Sequence, residues 1–289
     1  MLMTTLNFVT PGPDGVVKFV LDNGWTGTNQ RSIPVNLHDL RHQAEKLSFD
    51  NQGFVLSKIE TTVNDYGDQD QISRLWKPAV EELILWLTGG KWLVLFAGPN
   101  MRFSEVHKGA TATSVSAPAR PVHSDLAGNF TYNMMERQPV AEDAVRILRK
   151  RLGGAEPRRW RIFNFWQMIS RPPQDCTLAI CDRSSLDPAD FVEGKGFFDD
   201  PGKSREEILS RDLGQADFSI TFLRENPAQR WCYVSNMEPG EALVFSTFDP
   251  EAGPGRARVP HGAVDLPNAG SGAIPRNSIE IRALVTFEE

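Results

Sequence analysis

The sequence predicts an α+β protein whose larger part is a β-sandwich or barrel with flanking helices. Helical spacing of apolar residues is confined to a few segments in the first half of the chain. The second half contains six short segments rich in β-branched and aromatic residues, separated by Gly, Pro and Asp turns. Short strands with such turns between them are typical of sandwiches and barrels.

Residues 1–96 are expected to form an α+β support region. Apolar residues recur at helical spacing between Ile72 and Leu87, and Gly89-Gly90 predicts the end of that helix. Segments rich in β-branched residues predict strands in the same region. The predicted elements are strands over 16–20, 53–63 and 92–96 and helices over 38–47 and 72–87.

Residues 97–289 are expected to form the core of a single domain that spans residues 1–289. Residues 97–121 are rich in small residues and proline and predict a long loop, and residues 140–151 predict an amphipathic helix. The polar segment 183–216 predicts an insert, which we hypothesise closes over a substrate. The predicted strands are 159–168, 177–181, 218–223, 231–235, 242–248 and 279–287.

Composition limits the classes of partner. Hydrophobic residues make up 40% of the chain and charged residues 24%, which is ordinary for a globular protein. A net charge of −6 does not favour a nucleic-acid partner. The longest apolar run, Leu83–Leu87, is far too short to span a membrane. Three cysteines without a CxxC pair predict no disulfide framework, so we expect a cytoplasmic protein.

A metal site is predicted by His123, Asp125 and, far downstream, His261. A His-x-Asp pattern on a strand places both side chains on one face, because side chains alternate with a period of two. Two imidazoles and one carboxylate, with coordination positions left open, are the ligand set of non-haem iron(II) oxygenases. The alternative is that His123 is an ordinary polar loop residue. We expect His38 and His42 on a solvated helix face and His107 on the surface.

The last predicted strand carries two arginines on one face. Alternation places Arg276, Ser278, Glu280 and Arg282 on that face, and places apolar residues on the other. An arginine that points into a barrel requires a carboxylate partner, because an unpaired buried charge is costly. The dicarboxylate 2-oxoglutarate would supply it through planar bidentate contacts. The alternative is that one arginine pairs with Glu280 or Asp265, or lies on the surface. The opposite face would carry Ile279, Ile281, Ala283 and Val285.

Several motifs in order resemble the fungal hydroxylase/desaturase family of iron(II)/2-oxoglutarate oxygenases, which includes AsaB-like, gibberellin-desaturase-like and CmcJ-related proteins. The resemblance extends from about residue 53 to the C-terminus, and its specificity lies in the order and spacing of the motifs. The end motif also resembles the terminal strand of AlkB-like dioxygenases. The matching segments are Lys77–Glu82, Pro118–Asp125, Arg161–Trp166, Leu178–Asp182, Arg230–Tyr233, Glu241–Phe245, Val259–His261 and Pro275–Arg282.

This resemblance implies a double-stranded β-helix core of the jelly-roll or cupin type, and a role for each matching residue. It implies that His123, Asp125 and His261 bind Fe(II), and that Arg276 and Arg282 receive the carboxylates of 2-oxoglutarate. Further residues are assigned to the cofactor site and the substrate pocket, with Trp166 alternatively a plain core residue. The cofactor residues are Ser278 and Asn164, and the pocket residues are Trp166, Arg102 and Tyr132.

Two positions depart from the family pattern. Gln167 stands where family members often carry arginine, and Gln229 stands where a histidine often precedes Arg-Trp. Neither residue is an expected metal ligand. We expect both changes to alter the polarity of the pocket.

The resemblance implies hydroxylation or desaturation of a small natural product, with 2-oxoglutarate and O2 consumed and an Fe(IV)-oxo as oxidant. The same site could instead catalyse ring formation, epoxidation, endoperoxidation or epimerisation. An alternative from a different functional class is a non-catalytic β-barrel protein that binds a small molecule. We expect a small-molecule partner and neither nucleic acid nor membrane, and the sequence leaves a homodimer open.

Overall fold

The computed structural model describes residues 1–22, 25–105, 115–128, 130–135, 141–253, 255–267 and 269–287. Its strands are β1 (Leu2–Thr10), β2 (Val17–Leu21), β3 (Asn29–Asp39), β4 (Phe54–Lys58), β5 (Trp92–Phe103), β6 (Val115–Ser116), β7 (His123–Ser124), β8 (Trp160–Met168), β9 (Cys176–Cys181), β10 (Phe191–Phe198), β11 (Phe218–Leu223), β12 (Trp231–Tyr233), β13 (Glu241–Phe248), β14 (His261–Asp265) and β15 (Asn277–Thr286). Its helices are α1 (Gln69–Gln71), α2 (Lys77–Thr88), α3 (Tyr132–Met135), α4 (Glu142–Arg151) and α5 (Arg205–Leu209), and a π-helical segment (Ile72–Trp76) joins α1 to α2.

The described strands form two sheets that pack face to face. The major sheet has the order β1-β3-β12-β9-β14-β7-β11-β10-β2, and the minor sheet has the order β4-β13-β8-β15-β5-β6. Between them, Trp166 and Phe245 of the minor sheet pack with Leu178 and Ile180 of the major sheet. This sandwich, with helices on its outside, is the α+β jelly-roll architecture that the sequence predicts.

The predicted helix over 72–87 forms against the outer face of the minor sheet. Trp76, Val80 and Ile84 are fully buried there against the apolar face of β15. The helix ends at Gly89, which adopts a left-handed conformation with φ of +68° and donates a hydrogen bond to Leu85. Glycine adopts this conformation without a steric penalty, so the sequence signal for the helix end is confirmed.

Strand β15 has the predicted two faces. It pairs with β8 in unbroken antiparallel register over residues 278–286, so its side chains alternate strictly. Its apolar side chains pack under α2, and Arg276, Ser278, Glu280 and Arg282 lie toward the interior of the sandwich. The apolar set is Ile279, Ile281, Ala283 and Val285.

The helix predicted over residues 38–47 is wrong. His38 lies in β3, which pairs with β1 over nine residues and places His38 opposite Cys232 of β12. Only the 3-10 turn Ala44–Lys46 is helical within that range. Pairing between distant strands has overridden the local helical pattern, which a single window of sequence cannot reveal.

The loop predicted over residues 97–121 begins later than expected. Strand β5 continues through Phe103, and a bulge absorbs the turn-like residues Ala97–Pro99. Ala97 has a φ of +50°, and Gly98 lies so close to β15 that a Cβ atom there would stand 2.9 Å from the carbonyl oxygen of Glu280. The turn residues therefore bend the strand rather than end it. The prediction for His107 falls outside the described residues.

The segment 183–216 is not a structureless insert. Its centre is β10, which pairs with β11 on one side and with β2 on the other, inside the major sheet. The glycines that read as turn signals make room for aromatic rings, since a Cβ atom at Gly194 would lie 2.6 Å from the ring of Phe222. A segment that contributes a paired strand to the sheet is not a separate insert, and its closure over a substrate stays a prediction.

The expected separation between a support region and a core is also not observed. Within residues 1–96, β1, β2 and β3 belong to the major sheet, while β4 and β5 belong to the minor sheet. These strands pair with strands from the second half of the chain, so residues 1–96 form part of the sandwich. Among the described residues, no helix is long and apolar enough to cross a membrane.

The two departures from the family pattern lie away from the interior of the sandwich. Gln167 is fully buried on the outer face of β8, where Trp76 donates to its Oε1 at 2.7 Å and its Nε2 donates to the Tyr66 hydroxyl at 2.8 Å. Gln229 donates to Asp190 and to the Arg224 carbonyl. The expectation that both alter the pocket is therefore wrong, and Gln167 instead joins the π-helical segment before α2 to the minor sheet.

We expect Gln167→Leu to lower the free energy of unfolding by about 1–3 kcal/mol, because it leaves the buried indole N–H of Trp76 without an acceptor. Tyr66→Phe is the matched control and removes only one partner, so its effect is about 0.5–1.5 kcal/mol. Urea unfolding measures both. Metal affinity is unchanged in both variants, and a weakened metal site in a stable Gln167→Leu protein would contradict this assignment.

Candidate metal centre

Three predicted ligands converge inside the sandwich. His123 in β7 lies directly opposite His261, the first residue of β14, and their ring centroids are 4.6 Å apart. Asp125 follows β7 immediately. The ligand atoms of the three residues lie within 4.8 Å of one another, and this is the one group of metal-binding side chains found in the described part of the chain. The fold thus assembles the set that the sequence pattern predicted.

Backbone carbonyls orient both imidazoles. Nδ1 of His123 lies 2.7 Å from the Pro121 carbonyl oxygen, and Nδ1 of His261 lies 3.2 Å from the Val259 carbonyl oxygen. A carbonyl only accepts, so each Nδ1 carries the proton and each Nε2 presents a lone pair. Burial, and secondarily the proximity of the His261 imidazole, lower the pKa of His123 to about 3. The neutral imidazole that binds metal ions is therefore the resting form.

The carboxylate of Asp125 is held by the minor sheet. Nη2 of Arg282 lies 2.8 Å from Oδ1 of Asp125, and Nδ2 of Asn164 donates to its Oδ2 at 3.3 Å. Burial alone would raise the pKa of Asp125, but Arg282 and the two imidazoles hold it well below its usual range. Asp125 is consequently ionised and oriented as a ligand.

The partner of Arg282 in this structure is Asp125, and its expected contact with 2-oxoglutarate stays a prediction. Arg282 pairs with Asp125, and neither with Glu280 nor with Asp265, so it orients a ligand in this structure. Those two acids have other arginine partners, Arg102 for Glu280 and Arg120 for Asp265. The side chain of Asn164 likewise donates a hydrogen bond to Asp125.

Trp25 packs against the imidazole ring of His123. Its ring centroid lies 4.7 Å from that of the imidazole, and its other face stacks on Phe19 at 5.2 Å. Trp25 has a φ of +51°, and a turn built on Asp22 holds it there: Trp25 donates to the Asp22 carbonyl, and Thr26 donates to the Asp22 carboxylate. No sequence motif predicts this contact, because Trp25 is distant from every motif.

A small, partly open cavity of about 10 Å³, room for one water molecule, adjoins the three ligands. Arg276 forms part of its wall and is 1% exposed, and its Nη1 donates to the Thr177 carbonyl oxygen at 3.2 Å. Its Nε has no partner, and no carboxylate of the described residues pairs with it. Its guanidinium lies 5.4 Å from the ring of Trp166. The cavity is lined by Arg102, Ala119, His123, Asp125, Trp166, Leu178, His261, Ala263, Arg276 and Glu280.

The remaining predicted pocket residues divide into two groups. Trp166 and Arg102 lie in the cavity wall, and Arg102 pairs with Glu280 at 2.9 Å. The sequence predicts for Glu280 only a role as an ion-pair partner, although alternation along β15 places it on the inner face. Tyr132 lies elsewhere, packed 5.7 Å from Trp160 under α4, so its assignment to the pocket is wrong. Ser278 is fully buried beside the cavity but does not line it.

A jelly-roll sandwich that buries two histidines and one aspartate beside an arginine-lined cavity defines the class of non-haem iron oxygenases. Residues 6–286 match the family described as "Oxidoreductase/YMDC permease-like domain", and the chain belongs to this family.

Curated relatives carry names of the same enzyme class. The chain is 28% identical to hydroxylase/desaturase EfuI of Hormonema carpetanum, over 99% of this chain and 95% of that protein. It is 26% identical to the Fe(II)/2-oxoglutarate-dependent dioxygenase NvfI of Aspergillus novofumigatus, over 91% and 87%. The match to hydroxylase/desaturase AsaB of Aspergillus flavus, at 32% identity, covers 45% of this chain and 57% of that protein. The resemblance drawn from the motifs is confirmed.

Solved structures bear out the fold. A structure of the iron and alpha-ketoglutarate-dependent endoperoxidase NvfI superposes with a TM-score of 0.76, at 24% identity, and covers 99% of this chain and 98% of that one. A second structure of the same protein gives a TM-score of 0.75. The prediction of a double-stranded β-helix core is therefore confirmed.

We expect His261→Ala to abolish binding of Mn(II), used as a redox-stable probe, because two protein ligands remain where three are required. Equilibrium dialysis with metal analysis measures the stoichiometry. His38→Ala is the control and binds Mn(II) like the unaltered protein, since His38 lies on β3 outside the cluster. Undiminished Mn(II) binding by His261→Ala would remove it from the site.

Proposed function

We propose that the protein is an Fe(II)/2-oxoglutarate-dependent dioxygenase that hydroxylates or desaturates a small natural product. The observation that carries this proposal is the joint burial of the three ligands and of Arg276, a cation with an unpartnered Nε, in the wall of one cavity. The names of EfuI and NvfI support the same chemistry.

The residues that line the cavity suit both iron(II) and 2-oxoglutarate. Nε2 of His123, Nε2 of His261 and a carboxylate oxygen of Asp125 form a ligand set that suits iron(II) and leaves coordination positions open. Arg276 fits one carboxylate of the cosubstrate, since its Nε is buried without an acceptor. When bound, iron and 2-oxoglutarate supply the oxidising power that breaks a C–H bond.

The protein's own contribution is orientation and exclusion of water. Arg282 and Asn164 fix the carboxylate of Asp125, while the carbonyls of Pro121 and Val259 fix the imidazoles. The guanidinium of Arg276 packs on Trp166, which leaves one edge of it available to a carboxylate. No general acid or base is required among the protein residues. A preorganised site of this kind loses little entropy when it binds its ligands.

Other outcomes use the same site. Relatives are named both hydroxylase/desaturase and endoperoxidase. The enzyme class therefore does not determine which product is formed. Ring formation, epoxidation and epimerisation stand beside endoperoxidation as alternatives. Mass spectrometry of products after substrate screening under air, with succinate as the general readout, separates them.

A non-catalytic binding protein is the alternative from another class. It would not require two carbonyl-oriented histidines beside an ionised aspartate. Anaerobic titration with Fe(II) and 2-oxoglutarate distinguishes the two, because chelation of the metal by a 2-oxo acid produces a visible charge-transfer band. We expect that band, and its absence would favour the binding protein.

We also propose a cytoplasmic enzyme that acts as a single domain, alone or as a homodimer, without nucleic-acid or membrane partners. The free, buried state of Cys176, Cys181 and Cys232 supports a reducing compartment. The pairing of strands from both halves of the chain supports one domain.

Substitution of Arg276 and of Arg282 should separate their roles. Arg276→Met should weaken 2-oxoglutarate binding about 10- to 100-fold and leave Mn(II) affinity unchanged, since charge-assisted hydrogen bonds contribute about 1.5–3 kcal/mol. Arg282→Met should weaken Mn(II) binding about 10- to 100-fold, as loss of a partner that orients a metal ligand does. Anaerobic calorimetry measures both constants.

The control for these variants is Arg74→Met, which alters an exposed arginine on the π-helical segment and should change neither constant. The assignment is contradicted if Arg276→Met binds 2-oxoglutarate normally. It is equally contradicted if Arg282→Met retains full Mn(II) affinity.

A further inference from the structure

His123 receives little support from its own strand. Strand β7 is only two residues long and makes two residue pairs with β11 and one with β14. His261, by contrast, begins a five-residue strand that pairs with β9 along its whole length. A segment with few backbone pairs is held less firmly, so contacts of its side chains decide how the imidazole of His123 is oriented.

Each imidazole is held by one backbone carbonyl and by one aromatic ring. The ring is Phe245 for His261 and Trp25 for His123, and the ring centroids are 4.7 Å apart in both pairs. Phe245 belongs to β13, and the pairing of that strand with β4 and β8 fixes its position. Trp25 belongs to no strand, so other contacts have to hold its ring against His123.

A turn holds Trp25 in a backbone conformation that bulky residues rarely adopt. Its φ of +51° is left-handed, and there the Cβ atom of an L-residue is crowded by the backbone. The carboxylate of Asp22 accepts from the Thr26 amide at 3.0 Å and pairs with Arg205 of α5 at 3.3 Å. The Trp25 carbonyl accepts from the Thr28 hydroxyl at 2.7 Å. Strained residues persist only where their surroundings fix them, and they cluster at functional sites.

The indole ring of Trp25 restricts the motion of the imidazole. Trp25 is 8% exposed, and its ring stacks on Phe19 with centroids 5.2 Å apart and planes 8° from parallel. An imidazole that is not packed can rotate about its Cβ–Cγ bond. For His123, such a rotation would carry Nε2 away from Asp125 and His261. A ring packed on both sides opposes this rotation and adds to the restraint from the hydrogen bond at Nδ1.

We propose that Trp25 is a positioning residue that fixes the imidazole of His123 in the orientation that binds the metal. This inference rests on the proposed function, because it gives Trp25 a part in the iron site of that enzyme. Trp25 does not line the cavity and acts through His123. Its turn is tied through Asp22 and Arg205 to α5, so the metal site depends on an element that carries none of its ligands.

The test separates the orientation of His123 from the stability of the fold. We expect Trp25→Leu to weaken Mn(II) binding about 10-fold, because residues that orient metal ligands contribute affinity of this size. Trp25→Phe keeps a flat ring against the imidazole and retains most of the affinity. Phe218→Leu is the matched control: its ring packs on Phe19 at 5.7 Å, so the change destabilises the same apolar cluster and leaves Mn(II) affinity unchanged. Equilibrium dialysis measures affinity, and urea unfolding measures stability.

The electron paramagnetic resonance spectrum of bound Mn(II) is a second readout, since it reports the symmetry of the ligand set. We expect an altered spectrum for saturated Trp25→Leu and an unaltered one for Trp25→Phe and Phe218→Leu. Undiminished affinity in Trp25→Leu, or an equal loss in Phe218→Leu, overturns the proposal. If Trp25→Leu does not fold, Asp22→Ala loosens the turn, keeps the ring and carries the same expectation. Failure of the unaltered protein to bind Mn(II) would instead overturn the proposed function.

Discussion

The buried ion pair between Asp125 and Arg282 joins the two sheets at the point where the chemistry is expected. Asp125 follows β7 of the major sheet, and Arg282 belongs to β15 of the minor sheet. Both histidines come from the major sheet, so the third ligand is oriented by residues across the sandwich. The spacing between the sheets at this point therefore determines the geometry of the ligand set. The cavity and its arginine wall depend on the same spacing.

Much of the fold was predictable where local pattern and tertiary pairing agree. Strands β8, β9, β11 and β13 lie close to their predicted bounds, because β-branched and aromatic residues fill both of their buried faces. The two faces of β15 follow from alternation, since its pairing with β8 is unbroken. The candidate ligands were predictable for the same reason: residue types and order are local, and the jelly roll brings them together.

The remaining features depend on distant contacts. Strand β10 was missed because Gly194 and Gly196 resemble turn residues until the rings of β11 are placed over them. His38 was assigned to a helix because β1, which pairs with β3, lies about thirty residues earlier. The partner of Arg282 was missed because nothing in β15 reveals which acid lies across the sandwich.

The turn that carries Trp25 gives the metal site a further consequence. Trp25 packs on His123, and the strand before it, β2, closes the edge of the major sheet on β10. Any ligand that binds only the folded state stabilises that state by mass action, and a metal bound at His123 would do so for this edge. Such a metal would oppose any opening of the sandwich that separates His123 from Asp125 and His261.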